Sequence, residues 1–323
     1  MVAQRNPKRR PARPPAARRP SGRIARQRVL IIGSGDVAAR VIPLLAPHAK
    51  VFALVRRAEA APALRALGAT PIRGDLDDRR SLRRLAGIAP RILHFAPPPD
   101  RGEGDPRSGR LVAALARRSL PTRLVYISTT GVYGDCQGNS VPETRPLRAG
   151  TARARRRVAA ERTLRAFARR SGCRLAILRA PGIYAAERLS LARLQRGDPV
   201  LRAEEDVFTN HIHADDLARL SVAALTRGGN CRAWNASDDS DLRMGEWYDR
   251  MADTFGLPRP PRASRREIER VLSPMMLSFM SESRRLDNTR LHRELRVRLR
   301  YPNVDAGLAQ ARAWFDLHKE NSR

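Results

Sequence analysis

The chain has 323 residues, with 63 Lys or Arg against 32 Asp or Glu and a formal net charge of +31. That length suffices for one large α/β domain, or for one domain with a small lobe. No run is long and apolar enough for a membrane span, and the first residues lack the apolar segment of a secretory signal. Cys136, Cys173 and Cys231 are scattered outside any CxxC spacing, so neither a disulfide framework nor a zinc site is suggested. The expectation is a cytoplasmic protein with free thiols.

Residues 1–28 hold ten Lys or Arg and no acid, yet about +21 remains on the rest of the chain. Residues 1–26 mix arginine with proline, contain too little apolar surface to bury, and are expected to be disordered. Arginine clusters neutralise phosphates, so nucleic-acid contact through this tail is one reading. An upstream extension in an arginine-biased chain is preferred, because no folded nucleic-acid motif accompanies the tail.

The first strand, Val29-Leu30-Ile31-Ile32, runs directly into Gly33-Ser34-Gly35-Asp36-Val37-Ala38. Gly33 allows a tight reversal, Gly35 leaves room for a pyrophosphate, and Ala38 lets the next helix pack on the strand. Such turns also occur merely to close the chain. Here a helical pattern and a second strand, Val51 to Val55, follow at βαβ spacing and favour dinucleotide binding. Arg56 and Arg57 stand where NAD-selective sites place an acid, and a guanidinium pair suits a 2′-phosphate, so NADP is preferred and NAD is the alternative. Both could equally be solvated loop charges.

Strands are then expected at 70–75, 92–96, 124–128 and 174–179, with helices at 79–86, 110–118 and 152–171 between them. This alternation describes a Rossmann-type, doubly wound parallel sheet covered on both faces. Asp75 could meet the adenine amine or serve as a turn cap. Ala96 and Pro97 would touch the cofactor through their backbone. Segments 207–213 and 232–235 could return to the sheet, and Asp215 with Asp216 reads as a helix N-cap. His211 and His213 read as packed or exposed side chains before metal ligands. The expected organisation is a dinucleotide-binding domain over 27–240 with a lobe insertion near 186–206, followed by a small C-terminal substrate lobe over 241–323.

Ser128-Thr129-Thr130-Gly131-Val132-Tyr133-Gly134 places hydroxyls at a strand's carboxyl end, and Leu178-Arg179-Ala180-Pro181-Gly182-Ile183-Tyr184 and Ile212-His213-Ala214-Asp215-Asp216 come later. With the glycine turn, these segments resemble the extended short-chain dehydrogenases/reductases of the NAD-dependent epimerase/dehydratase family, from about Arg28 to Ala236. The resemblance implies an NAD(P)-dependent oxidoreductase or epimerase-like enzyme on a polar or anionic small molecule such as a nucleotide sugar, as a monomer or homodimer. It assigns the catalytic hydroxyl to Thr129 and cofactor contacts to Ser128, Pro181 and Gly182.

The family's Tyr-x-x-x-Lys pair falls on Arg153 and Arg157, counted back from Glu161, and no lysine lies between Lys50 and Lys319. Arginine stays protonated at any useful pH and cannot replace the tyrosine as an acid or base. Arg157 could still hold the nicotinamide ribose. Tyr133 is the expected substitute acid, with Tyr184 as the other phenol. The rival reading is a dinucleotide-binding redox sensor or partner-binding protein that has lost the chemistry.

Overall fold

Seven apolar runs form one parallel sheet in the structure, a computed structural model that describes residues 27–320. The strands are β1 (Gln27–Ile32), β2 (Ala49–Val55), β3 (Ala69–Arg73), β4 (Arg91–His94), β5 (Arg123–Thr129), β6 (Arg174–Ala180) and β7 (Arg232–Asn235). Their spatial order is β7-β6-β5-β4-β1-β2-β3, so the winding reverses between β1 and β4. A crevice outside the strand ends is expected at such a switch point. The reading of the arginine- and proline-rich segment 1–26 lies outside the described residues.

Side chains alternate across the sheet, so each strand feeds two cores. Val29 and Ile31 pack under α1 (Asp36–Leu45) and α5 (Ala214–Arg227); Leu30 and Ile32 pack under α3 (Pro106–Leu115) and α4 (Ala152–Ser171). Asp105 starts α3 by accepting from the Arg107 and Ser108 N–H groups, which moves that helix several residues ahead of the expected 110–118. The expected helix at 79–86 is only a 3₁₀ turn, Ser81–Leu85.

The segment 207–213 does not enter the sheet, because β7 occupies the position beside β6. Instead Phe208–Thr209 pairs with Leu242–Arg243, and His211–His213 pairs with Gly182–Tyr184. The N-cap of α5 is also corrected. His213 Nδ1 accepts from the Asp215 N–H, whereas Asp216 accepts from the Arg300 and Tyr301 backbones.

A third core joins Tyr184, Leu194 and Val207 to Trp247 and Met251 of helix α6 (Met244–Phe255) and to Leu308 of helix α7 (Val304–Glu320). Leu291, Leu295 and Leu299, by contrast, return to the core under α5. The lobe is therefore interleaved with the sheet domain, since its apolar residues come from both sides of the 240 boundary expected from the sequence.

Candidate active site

The glycine turn has the shape its residues imply. Gly33 adopts φ +95°, and a Cβ there would meet the Ala96 nitrogen at 2.4 Å, so Gly33 is required both by conformation and by close packing. Gly35 caps α1, and a Cβ built on it would find no atom within 4 Å. Open space before a helix N-terminus suits an anionic pyrophosphate, and the residues here fit that group. Ser34 donates to the Leu54 carbonyl at 2.5 Å, tying the turn to β2, while Val37 packs on the core. Asp36 accepts from Arg40 at 3.0 Å and from Arg188 at 2.9 Å.

Arg56 and Arg57 are exposed just beyond β2 and make no ion pair among the described residues. Asp75 serves its turn: one carboxylate oxygen accepts from the Asp77 N–H at 2.9 Å. Ala96 is buried and donates to the Ile32 carbonyl, and the Pro97 carbonyl accepts from Arg107.

Thr129 ends β5 at the mouth of a cavity of about 740 Å³, and its hydroxyl accepts weakly from the Gly131 N–H at 3.4 Å. Pro181 and Gly182 line the same space. The neighbouring Ser128 Oγ is buried without a hydrogen-bond partner. Arg157 donates to the Tyr126 hydroxyl at 3.0 Å and the Ile127 carbonyl at 2.9 Å, which fixes it beside the end of β5. Arg153 lies one turn earlier on α4 and lines the cavity. Desolvation, then the nearby Arg157, holds its guanidinium below the usual range.

Tyr133, the expected substitute acid, does not line the cavity. The 3₁₀ turn Thr130–Tyr133 carries its ring inward to 1 % exposure, away from the residues lining the cavity. Its hydroxyl donates to Asn235 Oδ1 at 2.7 Å and accepts from Arg179 at 2.9 Å. Burial pushes its pKa up to about 12 in spite of Arg179. Arg179 is itself held by Glu161 at 2.9 Å, so the phenol belongs to a buried structural network. Tyr184 does line the cavity, but its hydroxyl points to the Asn303 carbonyl at 3.4 Å and burial raises its pKa further still.

Other residues at the site are not assigned to it from the sequence, which reads His211 only as a packed or exposed side chain. His94 closes β4 near Arg157, and burial pushes its pKa down to about 3. His211 stacks on Trp247 at 4.2 Å in the cavity wall and is neutral for the same reason, with a pKa of about 3. The wall also draws Arg156, Arg188 and Arg284 from three distant segments. Glu282 neutralises Arg284 at 2.7 Å, whereas among the described residues Arg156 donates to the Gly102 carbonyl at 2.8 Å and meets no carboxylate. The cavity thus combines an arginine-lined side with an aromatic and thioether side formed by Trp247, Tyr248 and Met276.

A parallel sheet with a glycine turn at its switch point, and a hydroxyl- and arginine-lined cavity at its carboxyl edge, defines a nicotinamide-dinucleotide enzyme fold. The model of the NAD dependent epimerase/dehydratase family matches residues 29–237, and the chain belongs to that family, within the short-chain dehydrogenase/reductase superfamily. A functionally unknown conserved protein from Silicibacter pomeroyi is 30% identical, with a TM-score of 0.73 over 89% of this chain and 98% of that one. The UDP-glucose 4-epimerase of Thermotoga maritima, solved with UDP-glucose, has a TM-score of 0.74 at 17% identity over 91% of this chain and 100% of that one. A dTDP-glucose 4,6-dehydratase from Streptomyces venezuelae, solved with NAD, has a TM-score of 0.72 at 22% identity over 91% of this chain and 98% of that one. These last two likenesses establish the fold. A search of curated proteins gives no match.

Proposed function

We propose that this chain is an NAD(P)-dependent oxidoreductase or epimerase-like enzyme that acts on an anionic small molecule such as a nucleotide sugar. NADP is the preferred dinucleotide on the strength of Arg56 and Arg57. The observation that carries the reading is the joint lining of one cavity by Thr129, Arg153 and Arg156, beside a glycine turn with room for a pyrophosphate. When bound, the dinucleotide supplies or accepts the hydride.

The chain's own residues position and stabilise. Thr129 offers a hydroxyl at the strand end, Arg157 holds that end in place, and Arg153 and Arg156 present permanent positive charge to developing oxygen charge. Neither phenol named from the sequence is free for the family's proton-transfer role, since the Tyr133 and Tyr184 hydroxyls are engaged with Asn235 and the Asn303 carbonyl, and the hydroxyl of Tyr248 in the cavity wall accepts from Arg193. This same fact supports a second reading, a dinucleotide-binding sensor that retains the cavity for a regulatory ligand.

Fluorescence titration with NADPH and NADH, followed by turnover assays on nucleotide sugars, tests both readings. Micromolar NADPH binding that is tighter than NADH binding is expected, and Gly35→Val should weaken it about a hundredfold or more while the fold persists. Equal affinities reject the NADP preference. Dinucleotide binding with no turnover on any anionic substrate replaces the enzyme by the sensor.

A further inference from the structure

The strand register brings together at the amino edge of the sheet a set of cations that the chain keeps far apart. Arg91, Arg123 and Arg174 open β4, β5 and β6, and the pairings Arg91 with Arg123 and Arg123 with Arg174 put all three in one cross-strand row. Like charges directly abreast are destabilising, and among the described residues the row's one side-chain contact is a long hydrogen bond from Arg123 to the Gly228 carbonyl, so its three charges are not balanced within the fold. The helices that end at this edge add more. Arg117 and Arg118 follow α3, Arg169 and Arg170 close α4, and Arg227 closes α5. None of these eight arginines makes an ion pair among the described residues. The nearby carboxylate Glu294 is taken by Arg232 and the Trp234 indole.

Cations in a last helical turn offset the helix dipole, which accounts for about one per helix end. It accounts for none at a strand start. The tail 1–26, with nine Lys or Arg and no acid, joins the fold at Gln27 on this same edge. We propose that the amino edge of the sheet, opposite the cavity, is a binding face for the phosphate backbone of duplex DNA.

Four features select that occupant. The cations are arginines, whose planar forks pair bidentately with phosphate. The three-strand row spans two interstrand gaps, about 10 Å, close to the roughly 12 Å major groove of B-DNA that phosphates flank. Among the described residues no aromatic side chain lies in the row's positions on β4, β5 and β6. The helices meet the edge end-on, so none lies flat with an apolar side toward a bilayer. The proposal is independent of the reaction performed in the cavity.

The test uses the full chain and a fluorescein-labelled duplex of about 25 base pairs, followed by anisotropy between about 50 and 200 mM salt. The parent should bind with a steep salt dependence. Arg91→Ser/Arg123→Ser/Arg174→Ser should lower affinity at least tenfold and flatten the slope of log K against log salt by about 2–3, near 0.9 per lost phosphate contact. Because Arg123 also donates to the Gly228 carbonyl, Arg169→Ser/Arg170→Ser serves as a second variant that leaves every described hydrogen bond intact, with a slope loss of about 1–2. Far-UV circular dichroism and melting temperatures matching the parent's confirm that both variants fold. Affinity and slope unchanged in both folded variants overturn the proposal and leave the tail as the polyanion binder. Tighter capture by phosphatidylserine vesicles, or by an RNA duplex of the same length, also overturns it.

Discussion

At the carboxyl edge of the sheet Arg40, Arg107, Arg179 and Arg188 each meet a carboxylate, whereas at the amino edge Arg91, Arg123 and Arg174 stand beside one another. Arg40 alone contacts Asp36, Glu187 and Asp215, which come from three separate segments. Composition does not explain the contrast, since arginine is abundant at both ends. In those four arginines charge is matched internally and holds structure, while the three-arginine row at the other edge has no carboxylate partner among the described residues.

The paired edge is the more sensitive to a single substitution. Glu161→Ala removes the carboxylate from Arg179 where both side chains are buried, leaving a guanidinium with only the Tyr133 hydroxyl and the Glu143 carbonyl. Stripping one partner from such a pair costs about 3–5 kcal/mol, which denaturant unfolding would register as a large fall in midpoint. A loss below about 1 kcal/mol would mean that pairing at this edge does not hold the fold.

A smaller effect separates a buried acid from the paired ones. Asp238, just past β7, has burial as its dominant influence, and its pKa is pushed up to about 8. A carboxyl group whose folded pKa exceeds its unfolded value near 3.9 keeps the folded state more protonated between those limits. Its contribution to stability is complete below about pH 4 and is lost as pH rises through 8. Asp238→Asn should therefore gain stability relative to the parent as thermal melts are moved from pH 5 to pH 9. A difference independent of pH would place the carboxylate in water.

The smallest change belongs to the unpaired edge. Arg174→Ser should leave stability within about 0.5 kcal/mol of the parent and raise it slightly at low salt, because it relieves repulsion along the row. Destabilisation above about 1 kcal/mol in the same melts would show that Arg174 is a structural residue.

The sequence by itself determined the sheet, the glycine turn and the helix α4 over 152–171, because each rests on local rules: alternation, a positive φ that only glycine tolerates freely, and helical spacing. The assignment of the altered pair to Arg153 and Arg157 rests on the family resemblance, and the helix sets these two residues one turn apart. Tertiary structure alone decided where Tyr133 points, since its partners Asn235 and Arg179 lie 102 and 46 residues away. It likewise decided that 207–213 leaves the sheet, because β7 competes for the place beside β6. The cavity wall and the arginine row arise in the same way. Residues with no common period become neighbours only when strand order and lobe closure bring their segments together, and periodicity cannot encode contacts between segments so far apart.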